Sequence, residues 1–120
     1  MATPEGRVKL KVRECLKAAN AWSFAPIIMG PLGRHGIPDI LACVPVTVTE
    51  EMVGKTLGVF VAVETKAPGK LKNTTPNQRK ELKEIHEASG VALVVDRKDE
   101  VIEAVDDLVN HGNITYRVIE

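Results

Sequence analysis

Apolar residues recur at helical spacing at the start of the chain: Val8, Val12, Leu16 and Ala19 predict a helix over residues 5–20, opened by Pro4. Residues 22–29 are apolar and contain Pro26, which predicts a short or edge strand. Gly30 to Gly36 is a loop, rich in residues that break both helix and strand. Residues 39–48 and 58–66 are dense in Val, Ile and Leu and predict two strands. The polar stretch Thr49 to Leu57 between them, with Gly54, predicts that they form a long hairpin. Thr75-Pro76-Asn77-Gln78 has the pattern of a helix start, with a Thr cap, Pro in the first helical position and Gln three residues after the cap. That helix is expected to run to Ser89 and stop at Gly90. The continuous apolar run Val91 to Val95 predicts a strand covered on both faces. An acidic helix over Asp99 to Asn110, ended near Gly112, and a last strand over Ile114 to Ile119 complete the order α-β-β-β-α-β-α-β. This is an α/β domain with a mixed sheet and helices packed on it.

A chain of 120 residues predicts one domain, 1–120, with a single core. Its 44% hydrophobic and 27% charged residues are those of an ordinary globular protein. No apolar run approaches the ~18 residues of a membrane span. The polar N-terminus without a signal-peptide core predicts a cytoplasmic protein. Cys15 and Cys43 lack metal-ligand spacing and are expected as small buried hydrophobes.

The formal net charge is zero, yet the charges are sorted. Arg7, Lys9, Lys11, Arg13 and Lys17 crowd the first segment, and Lys66, Lys70, Lys72, Arg79, Lys80 and Lys83 the middle. Acidic residues from Asp96 to Asp107 gather near the end. Such a chain can present one basic face to phosphates, although solvated helix faces give the same pattern.

The chemistry concentrates on Val59-Phe60-Val61-Ala62-Val63-Glu64-Thr65-Lys66. Alternation puts Val59, Val61 and Val63 on one face and Phe60, Ala62, Glu64 and Lys66 on the other. Both faces are apolar up to Glu64, which predicts a central, doubly covered strand ending in two charges. Such charges lose several kcal/mol of hydration each unless well paired. A structural Glu–Lys pair, or a strand emerging into water, would also account for them. Asp39 follows Pro38 at the start of the preceding strand, where a turn-capping role would account for it equally well. An antiparallel hairpin would bring Asp39 to Glu64 with Lys66 adjacent. Two carboxylates suit Mg²⁺ or Mn²⁺, which keep waters and accept phosphate oxygens. Metal-assisted phosphodiester hydrolysis uses that set together with a cation.

Pro38-Asp39 followed by Glu64-Thr65-Lys66 resembles the signature of the PD-(D/E)XK nuclease superfamily. With Pro4-Glu5-Gly6, Gly33-Arg34-His35-Gly36, the Phe60–Lys66 strand and Pro76-Asn77-Gln78 leading to Gly90-Val91-Ala92, residues 4–96 resemble the VRR-NUC family, the virus-type replication-repair nucleases common in bacteriophages. The resemblance implies an αβββαβ core with a mixed central sheet flanked by helices, followed here by a C-terminal helix and strand. It implies Asp39, Glu64 and the Thr65 carbonyl as metal ligands, Lys66 as the catalytic lysine, and Gln78 as the glutamine of the following helix. Glu5 matches the first-helix acid, with Glu14 as its rival. Gln78 also closes a capping box with Thr75, a role that needs no catalysis. The long connection 49–58 departs from compact relatives.

Arg34, His35, Lys70 and Lys72 are candidate DNA contacts, and solvated loops explain them equally well. His86 and His111 receive no function. The expected activity is a Mg²⁺- or Mn²⁺-dependent DNA endonuclease in the cytoplasm, that of the host if phage-encoded. The resemblance implies branched DNA, such as four-way junctions or flaps, cut by a homodimer; symmetric substrates favour symmetric assemblies. The competing reading is an inactive DNA-binding or interaction module on the same fold.

Overall fold

The computed structural model describes residues 3–26, 36 and 38–119. The architecture is mixed α/β, and the chain divides into two compact units, Met1–Pro45 and Val46–Glu120. Among the described residues no helix is long and apolar enough to cross a membrane.

In the first unit, helix α1 spans Pro4–Ala18. Thr3 caps it by accepting the Gly6 amide at 2.9 Å, which satisfies one of the orphan donors of the first turn. Gly6 leaves room for that cap, since a Cβ there would sit 3.1 Å from the Thr3 hydroxyl. The apolar face expected on α1 is largely open: Val8, Leu10 and Val12 are exposed and only Leu16 is half-buried. Strands β1 (Trp22–Phe24) and β2 (Leu41–Cys43) pair antiparallel, with Trp22 opposite Cys43 and Phe24 opposite Leu41. Cys43 is buried as expected, whereas Cys15 is exposed on α1.

The expected long hairpin does not form between the described strands. β2 has β1 as its ladder partner, and the strand predicted over 39–48 contracts to three residues. Residues 44–60 contain no strand, only a 3-10 turn at Glu50–Met52 followed by Gly54 at φ 84°. Apolar composition alone did not create a ladder there; Val44, Val46 and Val48 are exposed.

In the second unit, β3 (Val61–Thr65), β4 (Val91–Val95) and β5 (Tyr116–Arg117) form a parallel sheet in that order. Val61 lies beside Val91, Thr65 beside Val95, and Ala92 beside Tyr116. Helices α2 (Pro76–Glu87) and α3 (Lys98–His111) make the two crossovers. Val91, Leu93 and Val95 pack against α3 through Ala104, Val101 and Leu108. Ala92 and Val94 pack on the opposite face against Leu82 of α2, with Ala62, Leu71 and Tyr116 around them. The helices thus cover opposite faces while the strand order runs in one direction, so the crossovers are of opposite hand and one departs from the prevalent right-handed rule.

β4 is therefore the doubly covered strand, as its unbroken apolar run predicts. β3 is not: among the described strands it is the end of its sheet, and Val61 and Val63 are 38% and 39% exposed. The predicted alternation does hold, with Ala62, Glu64 and Lys66 half-buried and Val61, Val63 and Thr65 outward.

The helix ends follow local chemistry. Thr75 and Gln78 make a complete capping box on α2. Its C-terminus departs from expectation in one residue: the left-handed position is Ser89, at φ 72°, and Gly90 follows it, donating its amide to Ile85 at 2.9 Å. α3 ends as predicted at Gly112, at φ 67°.

Candidate active site

β3 delivers Glu64 on the α2-facing side, one residue before the end of the strand. The ladder continues past it, because the Lys66 amide donates to the Val95 carbonyl at 2.8 Å. This anchors the Lys66 backbone and sends its side chain to the same side as Glu64. The Lys66 ammonium donates to Gln78 Oε1 at 2.9 Å and lies 3.9 Å from Glu64 Oε2. The Gln78 side-chain oxygen also accepts the Thr75 backbone amide at 2.9 Å, and the Gln78 backbone amide donates to the Thr75 hydroxyl at 3.1 Å. The capping box and the contact to Lys66 are thus made by one side chain at once.

Glu64 is less desolvated than a doubly covered strand would make it. With β3 at the sheet edge, the Glu64 side chain is 32% exposed and Lys66 only 14%. The cation is the more buried charge, and it is the one with a short hydrogen bond. The 3.9 Å separation to Lys66 leaves the Glu64 carboxylate free to accept other partners.

Beside this trio lies a concavity of about 340 Å³ lined by Ala62, Val63, Glu64, Asn77, Gln78, Glu81 and Leu82. Its polar groups are oxygen- and amide-bearing, a donor set that suits a hard divalent cation and its waters rather than a soft metal. Asn77 and Glu81 did not emerge from the sequence reading. Glu81 stands three residues after Gln78, on the same helix face, and that spacing is the signal that could have found it.

The loop after β3 is held from the neighbouring strand. The Gly69 amide, at φ 78°, donates to Asp96 Oδ2 at 2.9 Å. Asp96 follows β4, and the Gly69 amide, aided by the Glu100 side chain and Arg97, holds its carboxyl below the usual aspartate value. Arg97 reaches both carboxylates, at 3.7 Å to Asp96 and 3.6 Å to the buried Glu100. An acid directly after a buried apolar strand is the signal that pointed to Glu64, and it applies equally to Asp96.

The remaining residues expected at the site fall in both units. Thr65 ends β3 with its side chain outward. Lys70 and Lys72 are exposed in the loop and the 3-10 turn Leu71–Asn73. Asp39 is exposed, two residues ahead of β2, and belongs to the first unit, as do Glu5, in the first turn of α1, and Glu14. Arg34 and His35 lie outside the described residues. His86 has a structural place: its Nδ1 is 3.2 Å from the Gly90 carbonyl and its ring stacks on Tyr116 at 4.8 Å. Asp106, Asp107 and His111 bring ligand atoms within 4.8 Å of one another on the last turns of α3, where Asn110 already bonds Asp106.

Comparison of the chain with protein-family models, with curated proteins and with solved structures finds no match.

Proposed function

We propose that the chain is a metal-dependent DNA endonuclease of the PD-(D/E)XK type, similar to the VRR-NUC family, with Glu64, Lys66 and Gln78 at its active site. The observation that supports this most is the hydrogen bond from the half-buried Lys66 to Gln78, beside a carboxylate and an open concavity. Asp39 as a second metal ligand, the Thr65 carbonyl as a third, and Glu5 as a contributing acid rest on the sequence resemblance alone.

In this reading Glu64 is the ligand that this unit offers to Mg²⁺ or Mn²⁺. Bound there, such an ion would supply an acidified water and offset negative charge on the phosphate oxygens. Gln78 fixes the Lys66 ammonium by accepting one of its three N–H groups, leaving two for the attacking water or a non-bridging phosphate oxygen. Held in advance, that positive charge stabilises the transition state without reorganising. Branched DNA, including four-way junctions and flaps, is the favoured substrate class, and a homodimer its natural reader.

The test is a gel panel of labelled junction, flap, single-stranded and duplex DNA, each with Mg²⁺, Mn²⁺ or chelator. Cleavage that needs metal and is lost in Glu64→Ala is expected. Absence of cleavage of every substrate with both metals overturns the proposal and leaves the binding-module reading in its place. Calorimetric titration of Mn²⁺ into Asp39→Ala decides whether that residue is a ligand: weaker binding is expected, and unchanged affinity removes it from the set.

A further inference from the structure

The opposite flank of α2 carries a second concavity, also of about 340 Å³, lined by Pro76, Arg79, Lys80, Lys83 and Tyr116. Three of its five lining residues are cationic and none is acidic. Arg79 is fixed in place: its guanidinium donates to the Thr74 carbonyl at 2.7 Å, and Thr74 is itself buried and bonded to the Leu71 carbonyl. Only one of its five N–H donors is used in that bond. Tyr116 is fixed as well, stacked on His86 and packed against the Leu82–Ala92–Val94 cluster. Lys80 and Lys83 are exposed, and among the described residues neither has a carboxylate at ion-pair distance. Glu84 and Glu87 follow them by four residues, yet no such pair forms.

Unpaired cations gathered around a concavity with a rigid aromatic and arginine floor are matched to an anion of some length. Lys80 and Lys83 are three residues apart, neighbours on one helix face with Cβ atoms roughly 5–6 Å apart. That spacing suits consecutive phosphates of one strand. The concavity begins at Pro76 and Arg79, in the same first turn of α2 that presents Gln78 to Lys66. A strand whose scissile phosphate sits by Lys66 can therefore cross the α2 N-terminus and continue along Lys80 and Lys83.

We propose that this basic concavity is a second DNA-binding site, which holds the phosphates flanking the cleaved bond; it rests on the reading of DNA as substrate. Its contribution is electrostatic and independent of sequence, so it sets affinity and salt dependence rather than chemistry.

The test is fluorescence anisotropy of labelled single-stranded and duplex DNA, in chelator to prevent cleavage, across a salt series. The proteins are wild type, Lys80→Ala/Lys83→Ala, Lys80→Arg/Lys83→Arg and Lys66→Met. The alanine pair is expected to bind about tenfold more weakly at low salt and to lose about 2 from the slope of log affinity against log salt. The arginine pair should bind as wild type does, and Lys66→Met, which removes a single phosphate contact, should lose about 1 from the slope. Wild-type affinity and slope in the alanine pair overturn the proposal, as does a wild type that binds no DNA. Competition by an acidic peptide at equal charge that matches competition by DNA also overturns it, in favour of a protein partner. The gel panel judges the nuclease reading separately: cleavage with an unaffected alanine pair refutes only this site, and binding without cleavage refutes only the catalysis.

Discussion

Gln78 Oε1 accepts two hydrogen bonds at 2.9 Å, one from the Lys66 ammonium and one from the Thr75 backbone amide. The helix cap and the position of the lysine therefore cannot vary independently. Gln78→Ala should lower stability by about 1 kcal/mol, the usual scale of a lost cap interaction, and reduce turnover as well. Gln78→Glu keeps an acceptor for both donors, so it should retain the melting temperature. Thermal denaturation beside metal-dependent cleavage separates the two roles. Lower stability in Gln78→Ala with wild-type turnover of the folded protein would show that Gln78 acts only as a cap.

Lys66 is the more buried charge of its pair, and its methylene stem can be kept while the charge is removed. Lys66→Met preserves that stem and removes the ammonium. Turnover is expected to fall on the order of 10²-fold, comparable to loss of one fixed charge stabiliser, with the fold intact. Single-turnover cleavage with saturating enzyme measures it. A variant within threefold of wild type, roughly 0.6 kcal/mol in the barrier, would remove Lys66 from the chemistry.

The contact from Gly69 to Asp96 gives the loop after β3 a pH dependence of known sign. The folded state holds the Asp96 carboxyl below its ordinary value, chiefly through the Gly69 amide. Its stabilisation is complete above the unfolded value near pH 4 and is lost as pH falls through the lower folded value. Asp96→Asn should be less stable than wild type at neutral pH, and the gap should close as acidification passes the lowered folded-state value. Urea denaturation at a series of pH values checks it. A gap that widens on acidification contradicts the assignment.

Leu93 and Val61 test which strand is the core. Leu93 is fully buried at the centre of β4, so Leu93→Ala should cost about 2–5 kcal/mol. Val61 is at the exposed edge, and Val61→Ala should cost about 1 kcal/mol or less. Chemical denaturation of the two variants gives the comparison directly.

Ser89 holds a left-handed conformation that a side chain disfavours by roughly 1–2 kcal/mol. Glycine removes that strain but loses roughly 0.5–1 kcal/mol of chain entropy on folding. Ser89→Gly should therefore raise stability by about 0.5–1 kcal/mol, seen as a higher melting temperature. A lower one would show that the serine side chain has a compensating partner.

The sequence by itself determined what is local. The Thr75 cap and its Gln78 return contact, the doubly buried run Val91 to Val95, and the Gly112 stop all depend on residues within a few positions of one another. The juxtaposition of Glu64 and Lys66 was legible for the same reason, since strand alternation places them on one face. Tertiary structure decided what depends on strand partners. Val59 to Lys66 reads as a central strand because Val and Ala fill both faces, yet among the described strands β3 is the end of its sheet, with a ladder on one flank. Residues 39–48 have strand composition, but hydrogen-bond pairing requires a neighbour in register, and only Leu41–Cys43 finds one, in β1. The contact of Gly69 with Asp96 spans 27 residues, and the one between Lys66 and Gln78 spans 12. No periodicity encodes such contacts; they exist because the parallel crossover returns α2 and β4 to the end of β3, where Lys66 meets the glutamine that caps the helix.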